Sequence, residues 1–158
     1  MLEPFSSFKR RVTISATNVN EGIFTEFDQT NITFDQVGDA AVASASIPGV
    51  FPPFHWEDGR IFMDGMAVYN LNIEAAVRQC MDVVDDESKI IMDVLLCGSN
   101  AAPEEETDSG HSINNYLRGR QLHNYYDSVN SLTQSLRAHP TVQHRYVFKQ
   151  ENAAGGLQ

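Results

Sequence analysis

The chain has 158 residues, 42% of them hydrophobic, with 21 acidic against 11 basic side chains and a formal net charge of -10. That length fits one core-forming domain, and the acidic excess disfavours nucleic acid or an anionic bilayer as partner, since both attract Lys/Arg clusters. No apolar run approaches the ~20 residues of a transmembrane segment, and the N-terminus lacks the charged start and apolar core of a signal peptide, so a cytoplasmic location is expected.

Val12 to Val19 alternates apolar with small polar residues and is rich in β-branched types, which predicts a strand. Asn20-Glu-Gly22 turns it, Ile23 to Phe27 returns as a second strand, and Asn31 to Phe34 is a weaker third. Val37 to Ser46 is rich in Ala and Ser and predicts a helix, with Asp39 near its start and Pro48 ending it. Pro52-Pro53 and Glu57-Asp-Gly59 bracket a loop, after which Arg60 to Met63 forms a short strand arriving at Asp64-Gly65.

Asn72 is placed to cap a helix through Ile73, Ala76, Val77 and Cys80, apolar at spacings of three and four. Ile90 to Leu96 is almost continuously apolar, the pattern of a strand buried on both faces in a parallel sheet. Residues 98–110 form a polar, acidic loop. Ile113 to Ala138 carries Tyr116, Leu117, Leu122, Tyr126, Val129, Leu132 and Leu136 as the stripe of a long amphipathic helix, read as core-facing, and Pro140 stops it. His144 to Phe148 is a last strand, and Glu151 to Gln158 has the composition of a frayed tail. Helices alternating with buried strands predict an α/β fold.

Cys80 and Cys97 sit in apolar surroundings and read as reduced core thiols. The histidines at 55, 111, 123, 139 and 144 make no paired metal-ligand spacing, so neither metal nor cofactor is expected. Gly110-His-Ser112-Ile-Asn114 is an incomplete nucleophile elbow. Ser112 follows an acidic loop instead of a buried strand, and is better read as the N-cap of the long helix.

Asp64 is the residue that points to chemistry. A rigid strand delivering Ile61, Phe62 and Met63 into a core ends at this carboxylate, and Gly65 permits a sharp exit. In α/β sheets, ligand sites collect at the carboxyl ends of strands. Such an Asp can serve as general base for a nucleophile. An ordinary Asp-Gly turn would look the same in isolation.

The surrounding residues decide for the first reading. Ala43-Ser44-x-x-x-Pro48-x-x-Phe51-Pro52, followed by Asp64-Gly65 and Asn70, closely resembles the patatin-like phospholipase family. Ile14-Ser-Ala-Thr17 with Gly22, and Val94-Leu-Leu-Cys-Gly98-Ser99, resemble flanking family segments in the same order, so the similarity covers roughly residues 10 to 100. It implies a Ser-Asp dyad acyl hydrolase acting on a lipid or acyl ester, in which Asp64 is the catalytic general base and Gly65 its supporting turn. Met66 and Asn72 depart from the family pattern, Met66 crowding the turn. The G-x-S-x-G elbow and glycine-rich oxyanion loop, which precede the Asp in the family, are missing from this sequence.

The expectation is therefore the C-terminal part of an incomplete patatin-like three-layer sandwich, mostly parallel sheet flanked by helices. Residues 1–100 would be the family portion, 101–112 an acidic mobile loop, and 113–158 the long helix and terminal strand. The resemblance gives Ile47, Val50, Phe51, Phe54 and Phe62 as the acyl pocket. Contact with membranes or lipid droplets would be transient and peripheral, and the incomplete sheet would self-associate through its exposed edge. The alternative is a non-catalytic module of the same fold that binds lipid or a protein partner.

Overall fold

The computed structural model describes residues 7–69, 71–99 and 111–150, which divide into two compact units, Met1–Gln79 and Cys80–Gln158.

In the first unit the alternating N-terminal segment forms β1 (Thr13–Asn18), which the Gly22 turn, at φ 68°, folds back into β2 (Ile23–Asp28). The helix α1 (Val37–Ser44) follows, then β3 (Phe54–His55) inside the segment bracketed as a loop, and β4 (Ile61–Asp64). The sheet order is β2-β1-β4-β3. Every neighbouring pair in it is antiparallel, which corrects the expectation of a mostly parallel sheet. For two of the pairs the cause is local: short turns connect β1 to β2 and β3 to β4, and a tight turn allows only antiparallel return. The β1–β4 pair is antiparallel across a long connection that contains α1.

Ala16, Phe27, Ile32, Ala40, Ala43, Trp56 and Phe62 form the core of this unit. Phe27 stacks on Trp56 at 4.7 Å, and Phe62 meets both rings edge-on. Ala40 and Ala43, three apart on α1, are both fully buried and let the helix backbone approach β1 and β4 closely. The expected strand at Asn31 to Phe34 is instead a turn leading into a 3-10 helix at Phe34–Gln36. There, Asp28 accepts the Thr30 N–H at 2.7 Å and Asn31 accepts the Asp28 N–H at 2.9 Å. These side-chain bonds hold the backbone in a turn and take it out of sheet pairing. Ile32 still reaches the core from the turn.

The helix α2 (Ile73–Met81) is capped as expected: Asn72 Oδ1 accepts the Ala75 N–H at 3.1 Å. Cys80 is exposed, contrary to the core reading. Ile73 and Val77, four apart, lie on the buried stripe, and Cys80, three residues further, has rotated to its margin. The Cys97 side chain lies outside the described residues.

In the second unit β5 (Ile91–Ser99) pairs in parallel with β6 (Gln143–Gln150), and α3 (Ser112–Ala138) packs on β5. The strand β5 is not buried on both faces. Met92 and Val94 are buried, while Ile91 and Leu95 are 57% and 68% exposed. The N-cap of α3 is His111, with Ser112 its first helical residue, a shift of one position from the expected cap. Its inward line is Ser131 and Ser135, and Tyr116, Leu117, Tyr126 and Leu136 are exposed, which overturns a core role for those four. Of the acidic loop expected at 98–110, Gly98 and Ser99 belong instead to β5, and 100–110 lie outside the described residues, as do Asn70 and the tail at 151–158.

Candidate functional site: a carboxylate at the end of β4

Asp64 is the last residue of β4 and the N-cap of a 3-10 turn at Gly65–Ala67. Three bonds fix it. Its N–H donates to the Ser46 carbonyl at 2.9 Å, its own carbonyl accepts the Thr17 hydroxyl at 3.2 Å, and its Oδ1 accepts the Met66 N–H at 2.9 Å. The second carboxylate oxygen has no hydrogen-bond partner among the described residues.

Gly65 is favoured for a reason other than the one anticipated. Its φ is not positive. A Cβ there would meet the Ser15 carbonyl oxygen at 3.0 Å and the Phe24 ring at 3.3 Å, so glycine lets the chain leave β4 close to β1 without pushing either neighbour aside. The Asp-Gly pair is thus the start of a helical turn and not a hairpin. The Val68 and Tyr69 N–H groups both return to the Gly65 carbonyl, and Tyr69 packs edge-on against Phe24.

The half-buried carboxylate borders a cleft of about 320 Å³ lined by Thr13, Ile14, Ser15, Ser44, Asp64, Gly65, Met66, Tyr69 and Asn72. Because β4 ends opposite Ala16, the first residues of β1 run on past it and form one wall. Asn72 forms the corner: its amide donates to Ser15 Oγ at 3.1 Å and to Glu26 Oε1 at 2.6 Å. Glu26 in turn is paired with Arg78 of α2. Among the described residues Asp64 is the one carboxylate lining the cleft, and no Lys or Arg lines it.

The residues expected to form an acyl pocket do not line this cleft. Phe62 is fully buried in the aromatic core, and Phe54 packs against that core from its margin. Ile47 is half-buried at the start of the turn after α1, and Val50 and Phe51 in that turn are 55% and 56% exposed. Sequence reasoning missed Ser15, Ser44 and Asn72 as cleft residues. The only signal for Ser15 and Asn72 was their position beside recognisable motifs, and nothing in the pattern brings residues 57 positions apart together. Neither Ser15 nor Ser44 hydrogen-bonds Asp64. Ser15 sits within a strand and Ser44 at a helix end, not on a strand-to-helix elbow. Among the described residues no group of three or more His, Cys, Asp or Glu could hold a metal ion, and no helix is long and apolar enough to cross a membrane.

No curated protein matches the chain. A family model does: residues 2–77 match that of the patatin-like phospholipases. Every residue of the cleft falls inside the matched segment. The match supports assignment of this cleft-bearing part of the chain to the patatin-like phospholipase family.

Proposed function

We propose that the chain supplies the general-base half of a patatin-like lipid acyl hydrolase and is inactive by itself. Asp64 would take the proton from a serine hydroxyl as that oxygen adds to an ester carbonyl, and return it to the departing alkoxide. The serine would come from polypeptide beyond these 158 residues, which contain no G-x-S-x-G. The observation that carries this reading is Asp64 itself, held at three points with one carboxylate oxygen left open beside a cleft. A carboxylate so fixed loses little freedom on meeting a reacting hydroxyl. Val50 and Phe51, exposed on the neighbouring turn, would meet the acyl chain or a lipid surface in passing.

The test has two arms. The purified chain alone should not turn over a p-nitrophenyl acyl ester above background. When a family polypeptide carrying the elbow is supplied, as a fusion or in trans, hydrolysis should appear and be lost in Asp64→Asn. Turnover by the chain alone that Asp64→Ala abolishes would overturn the half-site reading. Hydrolysis indifferent to Asp64 would overturn the base.

A non-catalytic lipid- or protein-binding module is the second reading, favoured by a cleft already formed within the chain. Retention of a fluorescent fatty acid without hydrolysis, even with the elbow supplied, would select it. In either case the two-stranded β5–β6 sheet would drive self-association, because Leu95 and Phe148 are paired in register and both exposed.

A further inference from the structure

The strand β2 ends the sheet order β2-β1-β4-β3, so one of its edges has no neighbouring strand among the described residues. Residues of an antiparallel strand alternate between exchanging backbone bonds with their neighbour and turning those groups away from it. Asp28 marks which residues of β2 turn away. Its N–H donates to Asn31 Oδ1 at 2.9 Å, and its carbonyl accepts the Asn31 and Ile32 N–H groups, each at 3.1 Å. Counted back by twos, Glu26 and Phe24 also point their N–H and carbonyl groups to the open edge. The Asn31 side chain meets that edge where the alternation places it, with Nδ2 donating to the Glu26 carbonyl at 2.9 Å.

One side chain therefore bonds the carbonyl before Phe27 and the N–H after it. Those are the two bonds that a residue of an adjoining parallel strand would make opposite Phe27. An Asn amide can imitate such a residue because it carries both a donor and an acceptor. Its orientation is fixed, since a backbone carbonyl only accepts and a backbone N–H only donates. The turn itself is also closed by the two backbone N–H groups on the Asp28 carbonyl. The bond to Glu26 reaches back past that turn into the strand. It leaves an incoming strand at most the Phe24 N–H and carbonyl and the Glu26 N–H.

Open edges are templates for pairing with another chain. A second copy of β2 fits this one antiparallel about Thr25, with Phe24 facing Glu26 of the second copy. Both are outward residues, so the strand is in register with itself, and its aromatic and β-branched residues suit pairing. Half of the bonds in that arrangement would end on a Glu26 carbonyl, where the Asn31 amide already stands. We infer that Asn31 guards the β2 edge, occupying the place that a second copy of this chain would otherwise take. The inference does not depend on the hydrolase reading, and it concerns a different surface from the β5–β6 sheet.

Hydrogen exchange at single amides tells the two surfaces apart, because Phe24 and Glu26 belong to the β2 edge alone. The full chain and its Asn31→Ala variant are compared dilute and concentrated, in salt that screens the net charge of -10. In the parent both amides should exchange at rates independent of protein concentration. In Asn31→Ala both should slow about tenfold or more on concentration, as amides do on entering a ladder, and sedimentation velocity should show a dimer. Asn31→Asp keeps an acceptor for the Asp28 N–H, and so the turn, while leaving the Glu26 carbonyl without its donor. It should gain the same protection at high salt, and it decides the matter if Asn31→Ala does not fold. Concentration-dependent protection of the two amides in the parent would mean that the edge was never closed, and would overturn the guard. Protection in neither variant, or a variant dimer whose Phe24 and Glu26 amides still exchange freely, would overturn it as well.

Discussion

At position 65 a methyl group would stand 3.0 Å from the Ser15 carbonyl oxygen, a backbone atom held in the β1–β2 pairing and unable to swing aside. Gly65→Ala should therefore destabilise the first unit by about 1–3 kcal/mol, the usual cost of forced overpacking, and a urea melt followed by Trp56 fluorescence measures it. Asp64 separates two roles of one side chain. Asp64→Ala removes the oxygen that caps the Met66 N–H and should cost ~1 kcal/mol. Asp64→Asn keeps a capping oxygen and should melt within a few tenths of a kcal/mol of the parent, while abolishing any base function. At this scale the sequence was informative where a residue type announces its own constraint, as an Asp followed by Gly at a strand end does. It was silent on Ser15, because a serine in a strand has no signature until its neighbours across the sheet are known.

Among the elements, β1, β2, β4, α2 and its Asn72 cap were readable because each is set by nearby residues: alternation, a glycine turn, an apolar spacing. The antiparallel sheet could also have been read from those same short turns. The expectation of a mostly parallel sheet comes from the family resemblance, while the apolar run Ile90 to Leu96, which does pair in parallel, belongs to the other sheet. The turn after β2 defeated the strand expectation through side-chain bonds that apolar patterning does not register, and it carries a pH signature. The Thr30 hydroxyl, bonded to the Asp28 carboxylate, holds that group below its ordinary range; burial opposes it as the next largest effect, and the Thr30 N–H, Arg78 and the Asn31 N–H lower it further. A carboxylate lowered in the folded state stabilises it above the unfolded value and loses that contribution as pH falls through the folded one. Thr30→Val should return the Asp28 titration toward the ordinary carboxylate value, read from its side-chain carbon shift. The same variant should flatten the acid limb of the stability curve below about pH 4. An unchanged midpoint would assign the lowering to the backbone amides.

For the molecule as a whole, the net charge of -10 and the pairing of β5 with β6 alone among the described residues act against one another. Like charge keeps copies apart, and a parallel pair with Ile91, Leu95 and Phe148 open to solvent pulls them together. Self-association should accordingly strengthen with added salt, which screens the repulsion. Leu95→Glu should abolish it in sedimentation velocity at any ionic strength, and a chain monomeric at high salt would remove the sheet from consideration. The turn that carries Val50 and Phe51 begins one residue beyond Ser46, whose carbonyl holds the Asp64 amide. Whatever oily phase seized those two side chains would thus tug on Asp64 through a single backbone link. Arrival at an interface and readiness for the reaction would then be one mechanical event.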